Sequence, residues 1–365
     1  MVDKQFWRGR RILLTGHTGF KGAWLSLWLS LLEAEVIGYS LPPPTVPSLF
    51  ELARLNEVMT SVEGDVLDLE HLSQTISDYR PEIIIHLAAQ ALVRRSYVDP
   101  LETYATNIMG TVNLLEAVRL SQGVKAVIVV TSDKCYENRE WCWGYREIDP
   151  MGGADPYSSS KGCAELITTA YRNSFFPATR YSQHGVALAS VRAGNVIGGG
   201  DWAKDRLIPD IIKAFLNNQS VVIRNPQSLR PWQYVLEPLR GYLMLAEKLY
   251  DNGIDYADAW NFGPSEYDHQ TVFGILENIG ALWGPQAKWE MGQGSQPHEA
   301  NMLKLDCSKA RLRLGWQPVV NLTKAIDWTV SWYKVFQDNP NGVRKISESQ
   351  INEYHKIIKS CRLSH

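Results

Sequence analysis

The chain has 365 residues, of which 45% are hydrophobic and 21% are charged, a composition typical of a globular protein. This length predicts two domains or one elaborated α/β unit. The formal net charge of -2 provides no large positive field, which argues against nucleic acid or an anionic membrane as a partner.

The cysteine and histidine patterns exclude two further classes of protein. The five cysteines show no CxxC pairing, which favours a reducing cytoplasm over a disulfide framework. The eight histidines are dispersed without an HExxH motif, so we expect no metal site. The basic start imitates a signal peptide, but its apolar run breaks at Gly16, and the next run, residues 23–32, is too short to span a membrane. We therefore expect a cytoplasmic protein.

The N-terminal region has the pattern of a dinucleotide-binding turn. Residues 11–15 read as a buried strand, followed by Gly16-His17-Thr18-Gly19-Phe20-Lys21-Gly22 and then by a helix that is apolar nearly all round. Gly16 permits the tight turn, Gly19 lets a pyrophosphate approach the backbone, and Gly22 lets the helix pack against the strand. The helix N-terminus would then face the pyrophosphate.

The second strand, residues 35–39, ends at Ser40 without the acidic residue that usually binds the ribose 2′-hydroxyl of NAD. No arginine stands there to bind a 2′-phosphate either. The residues at this position therefore leave NAD and NADP open.

Three more strands are predicted at residues 61–65, 83–88 and 125–131, with a helix over residues 101–121. Asp65 stands where an acid could hold the adenine amino group. His86 reads as a packed strand residue rather than a ligand. Strands alternating with helices at this spacing predict an α/β fold with a Rossmann-type, doubly wound parallel sheet.

A reactive pair is predicted at the start of a long helix, where Tyr157 and Lys161 stand four residues apart and share one face. A nearby cation favours the phenolate, which would make Tyr157 a base usable near neutral pH. Thr131-Ser132-Asp133-Lys134 directly follows the fifth strand, at the sheet edge where such folds bind ligands. The alternative interpretations are a solvated helix stripe and a loop that caps a helix.

The second half of the chain carries shorter strands and more amphipathic helices, after a strand at residues 185–191. Arg230 precedes Pro231-Trp232, a combination typical of a phosphate and base site, although a surface arginine beside a buried tryptophan is equally compatible. We assign residues 1–193, with a return near 231–264, to the dinucleotide-binding domain. Residues 194–230 and 265–345 would form a smaller C-terminal α/β substrate domain, and 346–365 a C-terminal helix and tail.

Taken together, these motifs resemble the extended short-chain dehydrogenase/reductase family over nearly the whole chain, and within it the nucleotide-sugar 4,6-dehydratases. The glycine turn, Ser132-Asp133-Lys134 and Gln296-Pro297-His298-Glu299-Ala300 are similar to those of members that act on CDP-glucose. The resemblance implies NAD as a tightly held cofactor and CDP-glucose as the substrate. It also implies a homodimer or dimer of dimers, paired through residues 101–121 and 157–175.

The resemblance further implies a reaction in which hydride leaves C4 of the glucose and returns at C6. Tyr157, assisted by Lys161, would take the proton of the 4-hydroxyl, and Ser132 would hold the 4-oxygen. Asp133 would protonate the departing 6-hydroxyl and Lys134 would remove the C5 proton. These last roles need a protonated Asp133 and a neutral Lys134, so we expect the two side chains to point apart. The product would be CDP-4-keto-6-deoxyglucose, for the deoxysugars of a surface polysaccharide such as a lipopolysaccharide O-antigen.

The resemblance also implies the binding residues. Gln90, Asn195 and Arg230 would contact the sugar nucleotide, the last two at its diphosphate, and Asn107 would support Lys161. The cofactor would be held by Gly16, Thr18, Gly19, Phe20, Gly22, Ser40, Asp65, Val66, Leu87, Ala88, Ala89, Asn107, Tyr157 and Lys161.

Two alternative functions use the same fold. A sugar-nucleotide 4-epimerase would use the same Tyr157, Lys161 and Ser132 but would need neither Asp133 nor Lys134. A non-catalytic NAD-binding regulator would need none of these reactive side chains, so their presence argues against it.

Overall fold

The computed structural model describes residues 2–223, 225–265, 268–292 and 303–363. Its centre is a seven-stranded parallel sheet in the order β11-β6-β5-β4-β1-β2-β3. Helices cover both faces of this sheet, which confirms the predicted doubly wound fold. The strands of the sheet are β1 (Arg11–Thr15), β2 (Glu35–Ser40), β3 (Thr60–Glu63), β4 (Ile83–His86), β5 (Ala126–Val130), β6 (Ala187–Arg192) and β11 (Ala259–Asn261).

The central strands form because their side chains are apolar on both faces of the sheet. All residues of β4, β5 and β6 are buried, as expected for a parallel sheet enclosed between two helical layers. Predicted and observed strand bounds differ by at most two residues. The fourth strand, predicted to reach Ala88, ends at His86, and the chain then bends into the cavity described below.

Outside the large sheet, three two-stranded pairs form from β7 (Val196–Ile197) with β10 (Gln233–Tyr234), β8 (Val221–Ile223) with β13 (Trp289–Met291), and β9 (Leu229–Pro231) with β12 (His269–Thr271). The helices are α1 (Lys4–Trp7), α2 (Phe20–Leu31), α3 (Leu49–Leu52), α4 (Leu69–Tyr79), α5 (Val93–Val98), α6 (Pro100–Tyr104), α7 (Gly110–Leu120), α8 (Pro156–Ser174), α9 (Tyr181–His184), α10 (Leu207–Leu216), α11 (Leu236–Asn252), α12 (Val272–Trp283), α13 (Leu322–Asp338) and α14 (Val343–Leu363).

Helix α2 is apolar nearly all round because it is enclosed on several sides. Trp24 and Trp28 are fully buried, and Trp28 packs edge-on against Tyr354 of α14 at a centroid distance of 5.7 Å. The C-terminal helix therefore closes over the helix that starts at the glycine turn. Among the described residues, no helix combines the length and apolarity needed to cross a membrane.

The single helix predicted over residues 101–121 is wrong in one respect. A π-helical segment, Ala105–Met109, separates α6 from α7. Such wide turns often occur at functional sites. Here the wide turn contains Asn107, whose side chain hydrogen-bonds to the long helix α8. A second π segment, Ala310–Leu314, lies in the C-terminal part of the chain.

Candidate active site

The glycine turn between β1 and α2 packs as tightly as the sequence predicts. Gly16 has a φ of +74°, and a Cβ atom there would lie 2.6 Å from the Ala88 backbone nitrogen. A Cβ atom on Gly22 would lie 2.1 Å from the Gly16 carbonyl oxygen. Side chains at either position would therefore separate the helix from the turn.

The first turn of α2 is open to an anion. Gly19 is its N-cap and supplies no side-chain acceptor, so backbone N–H groups of the first turn are free to bind a ligand. This turn lies in the wall of a cavity, and the fit to a dinucleotide is good. The predicted cofactor residues that line the cavity are Gly16, Thr18, Gly19, Phe20, Gly22, Ser40, Asp65, Val66, Leu87, Ala88 and Ala89.

Polar side chains in the wall are partly engaged with one another. The Thr18 and Ser40 hydroxyl oxygens lie 2.9 Å apart, and Thr18 Oγ1 also donates to the Leu41 carbonyl. Asp65 Oδ1 accepts from the Leu67 backbone N–H at 2.9 Å. The carboxylate of Asp65 therefore stabilises its own loop, and its second oxygen remains available to a ligand.

His17, inside the glycine turn, is structural. Its ring is buried against Gly38, and its Nε2 lies 2.7 Å from the Ser61 hydroxyl. Burial lowers the His17 pKa to about 4, so the ring is neutral at physiological pH. His17 thus links the turn to β2 and to the Ser61 position of β3.

Several residues of the cavity wall, most of them in loops, were not predicted. The missed residues that line the cavity are Lys21, Leu41, Pro42, Pro44, Thr45, Ser48, Leu49, Gly64, Ala91, Leu92, Thr106, Gly200, Asp201, Trp202, Ala203 and Arg206. The loops carry no local motif, because only the tertiary fold brings them to the cavity. Lys21 had a signal, since it is a charged residue in the first turn of an otherwise apolar helix.

The predicted reactive side chains are brought together. Helix α8 begins at Pro156 because Asp155 caps it, accepting from the Ser158 backbone N–H at 2.9 Å. Tyr157 on its first turn is buried, and Ser132 lies close enough to the phenol to lower its pKa. Lys161, one turn further along the helix, is also buried.

The surroundings of Tyr157 and Lys161 favour their neutral forms. Burial raises the Tyr157 pKa to about 12, against the opposing influences of Ser132 and Arg206. Burial also lowers the Lys161 pKa to about 7, with Lys21 adding to the effect. Desolvation outweighs the neighbouring charges at both groups. The activation of the phenol by Lys161 stays a prediction.

Asp133 and Lys134 differ in burial and contacts, and the prediction that they point apart stays a prediction. Asp133 is buried, its Oδ1 accepts from the Ser132 hydroxyl at 2.9 Å, and its Oδ2 lies against the Cα atom of Gly194. Lys134 is only partly buried, and no ion pair joins the two residues in the described part of the chain. The carboxyl group thus stands beside the serine and the phenol.

Asn107 is hydrogen-bonded to Ser160, the residue before Lys161, and its support of Lys161 stays a prediction. Its amide donates to the Ser160 hydroxyl at 2.8 Å and to the Gln90 carbonyl at 3.0 Å. The Gln90 side chain is engaged in turn, because its amide donates to Thr103 Oγ1 at 2.8 Å and its carbonyl accepts from the Leu92 backbone. The contact between Gln90 and substrate stays a prediction.

The two residues predicted at the diphosphate lie on neighbouring segments. Asn195 has a φ of 44°, and its carbonyl accepts from the Gln233 backbone N–H at 3.1 Å, just before the β7–β10 pair. Arg230 lies on β9 and pairs in register with Gln270 of β12. Their roles stay predictions. Residues 296–300, part of the motif used for the resemblance, lie outside the described residues.

A buried ion pair anchors α8 beneath the reactive groups. Glu165 accepts from Arg192 Nη2 and from the Ser190 hydroxyl, both at 2.7 Å, and from the hydroxyl of Thr131. Arg192 also donates to the hydroxyl of Tyr136. This network joins the helix that carries Tyr157 to the residues on both sides of Ser132-Asp133-Lys134.

His86 is a packed strand residue, as predicted. Its Nδ1 lies 2.7 Å from the Thr15 hydroxyl, and burial together with the Lys161 charge lowers its pKa to about 3. A neutral imidazole at the end of β4 supports the turn between β1 and α2 and places no second positive charge beside Lys161.

Comparisons with known proteins identify the family of the chain. The family described as GDP-mannose 4,6 dehydratase matches residues 13–329. A CDP-glucose 4,6-dehydratase from Salmonella typhimurium is 59% identical over 336 residues, covering 92% of this chain and 94% of that protein.

Solved structures of lower identity share the fold. A UDP-glucose 4-epimerase from Brucella ovis in complex with NAD has a TM-score of 0.75 at 23% identity, covering 88% of this chain and 97% of that one. A dTDP-glucose 4,6-dehydratase from Bacillus anthracis in complex with NAD has a TM-score of 0.72 at 20% identity, covering 91% and 98%. The match over residues 13–329 shows that the chain belongs to the GDP-mannose 4,6 dehydratase family.

Proposed function

We propose that the protein is an NAD-dependent hydro-lyase that converts CDP-glucose into CDP-4-keto-6-deoxyglucose. The observation that carries this proposal is the cluster of Tyr157, Lys161, Ser132 and Asp133, all buried together. The 59% identity to a CDP-glucose 4,6-dehydratase over nearly the full length of both chains supports the same substrate and reaction.

In the first step, Tyr157 receives the proton of the glucose 4-hydroxyl while Ser132 holds the 4-oxygen in line with the phenol. Lys161 lies one helical turn away and stabilises the phenolate that accepts this proton. NAD, when bound, supplies the acceptor for the C4 hydride and returns that hydride at C6.

The second step is an elimination made possible by the 4-ketone, which acidifies the C5 hydrogen. Lys134 removes this proton and Asp133 protonates the departing 6-hydroxyl, so that water leaves and a C5–C6 double bond forms. When the hydride is added at C6, Lys134 returns a proton to C5. The hydrogen bond from Ser132 to Asp133 links the acid of this step to the serine of the first. The lack of an ion pair between Asp133 and Lys134 supports this division of roles, because a tight pair would hold both groups in their charged forms.

The binding residues are assigned to the dinucleotide or to the sugar nucleotide. The residues of the glycine turn, Ser40, Asp65, Val66 and Leu87 to Ala89 hold the dinucleotide, which the cavity lining supports. Asn107 fixes the helix that carries Lys161 through Ser160. Gln90, Asn195 and Arg230 contact the sugar nucleotide.

We also propose a homodimer or dimer of dimers in the cytoplasm, which serves deoxysugar synthesis for a surface polysaccharide such as a lipopolysaccharide O-antigen. Exposed apolar side chains on α6 and α8, among them Leu101 and Leu166, support pairing through these helices. All five cysteines are free, which supports a reducing compartment.

The test is turnover of CDP-, dTDP-, UDP- and GDP-glucose by the full-length protein loaded with NAD. We expect CDP-glucose to give a product with the alkali-induced absorbance of a 4-keto-6-deoxy sugar, at a rate well above that of the other three. Conversion of a sugar nucleotide to its 4-epimer without that absorbance would instead identify an epimerase. A protein that binds NAD but turns over none of the four would contradict the proposal.

A further inference from the structure

Lys21 is a charged residue of this site to which neither the fold nor the proposed reaction gives a role. It occupies the first turn of α2, where every other side chain of the first two turns is apolar, small or a serine. Lys21 and Arg206 both line the dinucleotide cavity, and Arg206 is the last residue of the loop before α10. The glycine-turn pattern explains Gly16, Gly19 and Gly22 but gives no reason for a lysine at this position.

The charges around Lys21 are unbalanced. Arg206 is paired with Asp201, whose carboxylate oxygen lies 2.9 Å from its guanidinium. No carboxylate oxygen lies within 4.0 Å of Lys21 in the described ranges of the chain. Burial, followed by the charge of Arg206, lowers the Lys21 pKa to about 8, and Lys21 in turn lowers the pKa of Lys161. The positive end of the α2 dipole adds to this repulsion.

An anion that enters the cavity would compensate this unbalanced positive charge. The first-turn N–H groups of α2 have no side-chain acceptor, which gives an anion a place beside the ammonium. The charge of Asp133 acts on Lys21 only at a distance, because its Oδ1 is engaged by Ser132.

We propose that Lys21 is a phosphate-binding residue whose ammonium contacts a diphosphate, either that of the dinucleotide or that of the sugar nucleotide. This inference rests on the proposed function, because only there do two diphosphates enter one site. Lys21 lines the same cavity as the glycine turn and Arg206, and its charge also lowers the pKa of Lys161.

The experiment compares Lys21→Met, Lys21→Arg and the wild type, with Lys204→Met as a matched control. Lys204 lies on the loop that carries Arg206 but is exposed and outside the cavity lining. One arm titrates the full-length chain with NAD, and the other titrates the NAD-saturated chain with CDP. Both arms measure dissociation constants by calorimetry at two salt concentrations.

We expect Lys21→Met to weaken one ligand by about 10- to 100-fold, as for the loss of one charge-assisted contact, with a reduced salt dependence. Lys21→Arg should restore most of the affinity, and Lys204→Met should change neither. A loss confined to NAD assigns the cofactor diphosphate, and a loss confined to CDP assigns the substrate diphosphate. Losses in both place the ammonium between the two ligands.

The melting temperature without ligands separates binding from structure. Removing a charge that serves a ligand should leave the melting temperature of Lys21→Met equal to or above that of the wild type. Unchanged affinity for both ligands would overturn the proposal, as would a lowered melting temperature that Lys21→Arg does not restore. Neither outcome depends on turnover, so an inactive wild type would refute the proposed function without deciding the role of Lys21.

Discussion

The protonation of Tyr157 is governed by burial more than by any neighbouring charge. The phenol is enclosed by the protein, and its pKa is raised to about 12 although Ser132 and Arg206 act to lower it. Ionisation of the phenol during catalysis therefore has to overcome its desolvation.

Lys161 gives a prediction for stability against pH. Its pKa is about 7 in the folded protein and near its ordinary value of 10.5 in the unfolded chain. Between these values only the unfolded chain holds the proton, so the free energy of unfolding rises with pH in this window.

Lys161→Met removes this contribution. The wild type should gain up to about 1.4 kcal/mol per pH unit relative to the variant between pH 7.5 and 9, measured by urea unfolding without ligands. Parallel pH profiles for the two proteins would show that Lys161 does not titrate in this window.

The proposed role of Lys134 predicts that its loss slows the elimination of water but not the oxidation at C4. Lys134→Met should still generate NADH absorbance on mixing with CDP-glucose, because the first step uses Tyr157, Lys161 and Ser132. Release of the 4-keto-6-deoxy product should fall by about 100-fold or more, since proton removal by a positioned base contributes on that scale. Wild-type product release would assign the C5 base to another residue.

At the scale of elements, α8 is held in place by the ion pair between Glu165 and Arg192, both of which are almost fully buried. The same carboxylate accepts from the Thr131 hydroxyl, which directly follows β5, and from the Ser190 hydroxyl, which lies within β6. The network therefore fixes the distance between the helix that carries Tyr157 and the loop that carries Ser132. Its effect on catalysis is one of positioning.

Arg192→Met should lower the free energy of unfolding by about 3–5 kcal/mol, because it leaves the Glu165 carboxylate buried without its partner. Chemical denaturation of the NAD-free protein measures this difference. Arg119→Met is the control, since its pair with Glu116 is partly exposed on α7 and its loss should change stability little. Equal effects of the two substitutions would refute a special role for the buried pair.

The positions of most strands and helices were predictable from the sequence. Strands buried on both faces, such as β4, are continuous apolar runs in the sequence. The site was predictable only where a local pattern carries the chemistry, as in the glycine turn and in Tyr157 with Lys161. The pair of Glu165 and Arg192 could not be predicted, since its members are 27 residues apart and meet only through the sheet. The same holds for Arg206, which a loop brings to the cavity from outside any motif.

At the scale of the whole molecule, one surface carries large apolar side chains. Leu101 on α6 is 80% exposed, and Leu166 on α8 is 60% exposed. The two helices are joined by a hydrogen bond between Tyr104 and Ser159 at 2.8 Å. A rigid apolar surface of this kind is typical of an interface between subunits.

Leu166→Arg should therefore convert the proposed dimer into a monomer or weaken its association by at least about tenfold, because a charge would be buried in the interface. Light scattering coupled to gel filtration measures the mass across a range of concentrations. Leu312→Arg is the control, since Leu312 is 85% exposed on the segment before Gly315, far from α8 in the sequence. An unchanged mass for Leu166→Arg would exclude this face from the oligomer.

The most direct measurement follows one hydrogen atom through the reaction. CDP-glucose carrying deuterium at C4 is converted by the NAD-loaded protein, and the product is analysed by mass spectrometry and NMR. Because the hydride removed from C4 returns at C6 within the same site, the account predicts a deuterium atom in the C6 methyl group of the product. A C6 methyl group without deuterium would contradict it.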